Sequence, residues 1–168
     1  SEMCIRDSMK AVNPDIVIPA NYYNEYALLV RTMQQQKVTP KAIYSVLGGA
    51  ASSYKFVKEF PDAANGIIDC NHWFNPKDKR AQDLKKRVEA KGLFFSYELF
   101  MTYTSMWLLA DALERAKSAD RAALIDALEK STFADHIMPY GPTKFVAGQN
   151  QGAQPLMTQV LNLSLIHI

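Results

Sequence analysis

The spacing of apolar residues along the chain changes period several times, and each change marks an element. Ile16-Val17-Ile18-Pro19-Ala20 follows the turn signal Asn13-Pro14-Asp15 and is continuously apolar, which predicts a short strand buried on both faces. From Tyr22 the apolar positions Tyr22, Tyr26, Leu29, Val30 and Met33 return at helical spacing and stop before Val38-Thr39-Pro40, which predicts one amphipathic helix. Ala42-Ile43-Tyr44-Ser45-Val46 predicts a second strand. Gly48-Gly49-Ala50-Ala51 then predicts a loop, and a short helix runs to Phe60, capped by Ser52 or Ser53 and stopped by Pro61. Gly66-Ile67-Ile68-Asp69-Cys70 predicts a third strand. Strand, helix, strand, helix, strand with short connections is the pattern of an α/β fold built on a doubly wound parallel sheet, of which three strands are a part.

Past Asn75-Pro76 the strand pattern gives way to helices. Over Lys77 to Lys91, Ala81, Leu84 and Val88 share one face, and Lys79, Arg80, Lys85, Lys86 and Arg87 lie elsewhere, interleaved with Asp78, Asp83 and Glu89. Mixed signs on the polar side describe a solvated helix face, not a nucleic-acid patch. From Ser96 to Lys117 a long helix carries Leu99, Tyr103, Met106, Ala110 and Leu113 on one stripe, with Phe100, Trp107 and Leu108 beside it. So wide a stripe predicts packing on two sides. Asp120 caps a further helix bearing Leu124, Ala127 and Leu128, and the turn-rich tail holds candidate strands at Thr143 to Val146 and Leu156 to Leu161. The opening residues 1–8 and the closing residues 163–168 match no structural period and resemble translated sequencing-adapter sequence. They are read as non-native scars and set aside from the fold.

Composition narrows the function classes. With 48% hydrophobic and 21% charged residues in 168, the chain can bury a core, which excludes wholesale disorder. Lys plus Arg at 19 against Asp plus Glu at 17 is too balanced to mark a surface for phosphate backbones, so no nucleic-acid partner is expected. The longest apolar stretch, Leu99 to Ala110, is broken by Thr102, Thr104 and Ser105 and falls short of the ~20 residues of a membrane helix. Cys4 and Cys70 form no disulfide framework and no Cys/His cluster, and no metal or other cofactor is expected.

In a parallel sheet, ligands bind where loops leave the carboxyl ends of the strands. Those exits read Asn21-Tyr22-Tyr23, then Leu47 through Ser53, then Asn71-His72-Trp73-Phe74. Aromatic rings, small residues and neutral hydrogen-bonders suit a small polar organic molecule, and no phosphate-binding glycine loop ending in Lys-Ser or Lys-Thr exists. Candidate ligand contacts are therefore Tyr22, Tyr23, Gly49, Ala50, Ser52, His72 and Trp73, with Glu98 near the start of the long helix. Tyr22 fits the core stripe of its helix equally well, Ser52 or Ser53 is first of all a helix cap, and Glu98 either complements the helix dipole or faces a ligand ammonium. His72 has no second ligand at metal spacing. No Gly-x-Ser-x-Gly, His-Glu-x-x-His or Gly-x-Gly-x-x-Gly occurs, and no nucleophile is paired with a base, so the chain is not read as an enzyme.

The phrases Asn13-Pro14-Asp15-Ile16-Val17, Tyr103, Trp107-Leu108-Leu109-Ala110-Asp111-Ala112-Leu113-Glu114-Arg115-Ala116, Asp120-Arg121-Ala122-Ala123-Leu124, Gly141-Pro142-Thr143-Lys144-Phe145 and Gly148-Gln149-Asn150, in that order, resemble the type I periplasmic substrate-binding proteins of ABC transporters, the branched-chain amino acid branch. The resemblance implies a two-lobed fold and an incomplete chain. Residues 9–74 would belong to the second lobe, 75–146 to the first lobe with its hinge crossovers, and 147–162 would return to the second lobe. It implies a receptor, periplasmic or lipid-anchored, that closes on an amino acid or related small polar solute and presents it to a membrane permease. Tyr22 matches the family's aromatic ligand contact. The acid that family members often carry for the ligand ammonium is absent, because Gly49-Ala50-Ala51 stands in that loop. That departure leaves room for amides, urea-like solutes, aromatic acids or other carboxylates. The alternative implied by the same fold is the ligand-sensing domain of a transcriptional regulator or receptor.

Overall fold

The computed structural model describes residues 8–46 and 50–167, and the side chains among them up to residue 164. The chain divides into two compact units, Ser1–Asn71 with Leu156–Ile168, and His72–Pro155. The expectations for residues 1–7 and for Gly48 and Gly49 lie outside the described residues.

In the first unit, β1 (Ile16–Val17), β2 (Ala42–Ser45), β3 (Ile68–Asn71), β6 (Leu156–Leu161) and β7 (Ser164–His167) form one five-stranded sheet in the order β1-β2-β3-β6-β7. The first two pairings are parallel, with Ile16 opposite Ala42 and Ser45 opposite Asp69. β6 then runs antiparallel to β3, with Thr158 opposite Asp69, and β7 antiparallel to β6. The parallel part of the sheet thus carries an antiparallel flank. Helix α1 (Tyr23–Gln36) connects β1 to β2, and α2 (Tyr54–Glu59) and α3 (Pro61–Ala64) connect β2 to β3. The apolar stripe of α1 is what buries it, through Tyr26, Ala27, Val30 and Met33. Tyr26 and Val30 join Phe56, Val57, Ile67 and Val160 in one core, where Tyr26 and Phe56 meet at a centroid distance of 4.9 Å and Phe56 stacks on Phe60 at 5.0 Å.

Two expectations are corrected here. β1 is not buried on both faces: among the described residues it pairs only with β2, and Ile16 and Ile18 are 59% and 62% exposed. Residues 164–167, set aside as matching no structural period, form the strand β7. The physical reason is the hairpin turn, in which Asn162 and Leu163 both take left-handed backbone angles (φ 50° and 62°), the geometry that folds a strand back on its neighbour.

In the second unit, α4 (Lys79–Glu89), α5 (Tyr97–Ala116) and α6 (Arg121–Glu129) precede a hairpin of β4 (Phe145–Val146) and β5 (Gln149–Asn150). Asp78 caps α4 by accepting the Arg80 and Ala81 N–H groups, and Asp120 caps α6 by accepting those of Ala122 and Ala123. The core is aromatic. Phe100 lies 5.6 Å from Trp73 and 5.5 Å from both Phe74 and Phe95, ring centroid to ring centroid. Packing of α5 on two sides, expected from its stripe, is not what the described residues contain: Phe100, Thr104 and Ala112 are buried, whereas Met106 is 60% and Trp107 53% exposed. No helix of the described residues is long and apolar enough to cross a membrane, and no three of their His, Cys, Asp and Glu side chains are grouped to hold a metal.

Candidate functional site

The carboxyl ends of β1, β2 and β3 place the sequence-derived candidates of the first unit. Tyr22 stands at the N-cap position of α1 with extended backbone angles, and its carbonyl accepts the Tyr26 N–H. Its side chain is 56% exposed, so of the two roles open to it, core packing is removed. The adjacent Tyr23 is engaged within the unit: its hydroxyl donates to Glu59 and its ring lies 4.3 Å from the Lys55 ammonium. Burial and the Glu59 carboxylate both push its phenol upward. Tyr23 thereby ties the start of α1 to α2.

The turn into α2 separates the two serines. Ser53 is the cap: its hydroxyl accepts the Phe56 N–H at 3.1 Å and donates to the Ala50 carbonyl at 2.9 Å. Ser52 turns inward and donates its hydroxyl to Asp69. Ala50 is 1% exposed and belongs to the hydrophobic core, so its side chain is not a rim group. With only six residues, α2 is too short to contribute much of a helix dipole.

Asp69 was not among the sequence candidates, and it is the most unusual group of this region. It sits in β3 with 1% exposure, beside Ser45 on β2 and Thr158 on β6, whose hydroxyl reaches the Asp69 carbonyl at 3.4 Å. One carboxylate oxygen accepts from Ser52, and the other is buried, as are the hydroxyls of Ser45 and Tyr26. Burial raises the Asp69 carboxyl, opposed by the Ser52 and Ser45 hydroxyls; burial and the Asp69 charge raise the Tyr26 phenol. Its sequence signal is a lone carboxylate inside the apolar run Ile67-Ile68-Asp69-Cys70.

The remaining candidates belong to the second unit. Trp73 is 4% exposed and packed against Phe74 and Phe100, which makes it a core residue instead of a rim aromatic. The His72 ring meets the edge of Tyr140 at 6.5 Å. Glu98 is exposed in the first turn of α5, where its charge complements the helix dipole. This unit also has an open groove of about 770 Å³ bordered by Lys130, Tyr140, Thr143 and Lys144. A second, smaller cavity of about 100 Å³ is lined by Arg80, Thr104, Trp107 and His136. Arg80 is committed to Asp135 at 2.6 Å and Asp78 at 3.2 Å, and its hydrogen bonds to Asp78 hold that carboxyl below the ordinary range.

With this geometry in place, comparison with known proteins is informative. A family model described as periplasmic binding protein matches residues 5–162. A leucine binding protein from Thermotoga maritima superposes with a TM-score of 0.73 at 20% identity, over 100% of this chain and 47% of its own. A solute binding protein from R. palustris in complex with benzoate gives 0.74 at 16% identity, over 98% of this chain and 45% of its own. A branched-chain amino acid ABC transporter protein from Thermus thermophilus with bound valine gives 0.70 at 12% identity, over 100% and 48%. The chain therefore spans about half the length of these structures and shares their fold. No curated protein matches the sequence.

Proposed function

Because the chain belongs to the periplasmic binding protein family, we propose that it is part of a solute receptor which traps a small polar organic molecule and makes no covalent bond to it. The first unit supplies residues of the second lobe and the second unit residues of the first. The observation that carries this reading is Tyr22: a large aromatic, 56% exposed, standing where β1 gives way to α1. An exposed ring at a strand exit offers apolar area to a ligand at small entropic cost. Ring packing at Tyr22 and hydrogen bonds from the polypeptide would desolvate the solute.

The solute class is a small carboxylate such as an aliphatic amino acid or an aromatic acid. Leucine, valine and benzoate are named with the similar structures. The turn 50–53 contains no acid, and Asp69 behind it is fully buried, so an ammonium group finds no accessible counter-charge among the described residues of that turn. This favours benzoate-like acids over amino acids. In the whole protein the closed form would deliver its solute to the membrane permease of an ABC importer, outside the cytoplasmic membrane.

Isothermal titration calorimetry of the chain with L-leucine, L-valine and benzoate tests the reading, with Tyr22→Ala alongside. Binding of benzoate, weakened about tenfold by Tyr22→Ala, is the expected result, corresponding to loss of roughly 1.4 kcal/mol. Absence of heat with all three solutes, or equal affinity in the variant, would sink it.

A further inference from the structure

We propose that Asp69 is a positioning residue of the solute rim, holding the 50–53 turn in place through Ser52. The inference rests on the reading that solute binds at the strand exits of the first unit. A carboxyl group with 1% exposure is costly to keep, and an apolar residue of similar size would fill the same space without that cost. What the carboxyl provides in return is a directed contact. The Ser52 hydroxyl donates to it from the turn, while the next residue, Ser53, caps α2 and closes back on the Ala50 carbonyl. Fixing Ser52 therefore fixes Ala50 through Ser53, the described part of the connection leaving β2.

The surroundings of Asp69 come from four other segments. Ser45 lies beside it on β2, Thr158 on β6 reaches its carbonyl, Ser52 approaches from the turn, and Tyr26 comes from α1. Tyr26 is also the fully buried centre of the core and touches Phe56 on α2. One side chain thus refers the turn to both neighbouring strands and to the helix that Tyr22 precedes. Shifts in any of these would be felt at the rim, because packed interiors transmit small displacements.

The test compares Asp69→Ala, Asp69→Asn and Ser52→Ala with the unaltered chain, by amide hydrogen exchange of residues 53–57 and by titration with benzoate. Asparagine can still accept the Ser52 hydroxyl, so it should restore what alanine removes. Asp69→Ala and Ser52→Ala should each speed exchange in 53–57 about tenfold and weaken benzoate to a similar degree, while Asp69→Asn stays within about threefold. Ser52→Ala keeps the measurement decisive if Asp69→Ala fails to fold. A purely structural role predicts a lower melting temperature with unchanged affinity in the folded protein, and that result overturns the proposal, as does unchanged exchange in 53–57. If the unaltered chain binds none of benzoate, L-leucine and L-valine, the solute reading fails by itself, and exchange alone decides whether Asp69 positions the turn.

Discussion

Replacing Phe100 with alanine should destabilise the His72–Pro155 unit by about 3–5 kcal/mol, the range for truncating a fully buried aromatic. The ring has no exposed surface and touches three other aromatic rings at 5.5 to 5.6 Å. Losing its burial accounts for roughly 2–3 kcal/mol, and the lost ring-ring contacts with the cavity left behind supply the rest. Met106, on the other face of the same helix, is 60% exposed, so Met106→Ala should change stability by no more than about 0.5 kcal/mol. Both tryptophans of the chain, Trp73 and Trp107, lie in this unit, so urea unfolding followed by tryptophan fluorescence reports it without a contribution from the other. A cost below about 1 kcal/mol for Phe100→Ala, or an equal cost for Met106→Ala, would refute the assignment of one packed and one open face to α5.

Other expectations follow from local geometry. Asp120→Ala removes the cap of α6 and should cost about 1 kcal/mol in the same fluorescence assay. Gly152→Ala drives a methyl group into the Pro142 carbonyl, so the hairpin must shift, at about 1–3 kcal/mol. The pH response of Asp69 has a definite sign. Its carboxyl is raised in the folded state, so its protonated form is favoured by folding, and the first unit should lose stability as pH rises from the ordinary carboxylate range through the folded pKa. Asp69→Asn should flatten that slope and be at least as stable near neutral pH, measured by circular dichroism during urea unfolding; a slope that persists in the variant would refute it.

How much of this was legible beforehand depends on whether a feature is set locally. The helices were readable because their apolar period and their caps are written in neighbouring residues: Asp120 before α6, Ser53 before α2, Val38-Thr39-Pro40 after α1. Strand β6 was readable for the same reason, whereas its antiparallel pairing with β3 was not, because pairing is decided by partners far along the chain. Tyr22 fitted both the core stripe of its helix and the exit of β1, and only its exposure in the folded unit decides against the core. Trp73 was misplaced because an aromatic after a strand packs inward or outward according to where the chain turns next, and here Phe100, more than 20 residues on, packs against it with Phe95 behind. Asp69 was overlooked for the opposite reason. A carboxylate within a strand reads as a solvent-facing position until the burial of its face is known, and that burial comes from α1 and the 50–53 turn.

The strand β7 bears on how the molecule behaves in company. A sheet ends safely only where its outermost backbone groups are few or obstructed. On one side, β1 offers two residues and is followed by Pro19, which has no N–H to give. On the other side the six-residue β6 is shielded by the four-residue β7. Trimming the chain after Asn162 would uncover the longer strand, and two trimmed molecules could then zip together along it in a closed antiparallel pair. Preparations that differ only in the presence of β7 should therefore differ in their state of association.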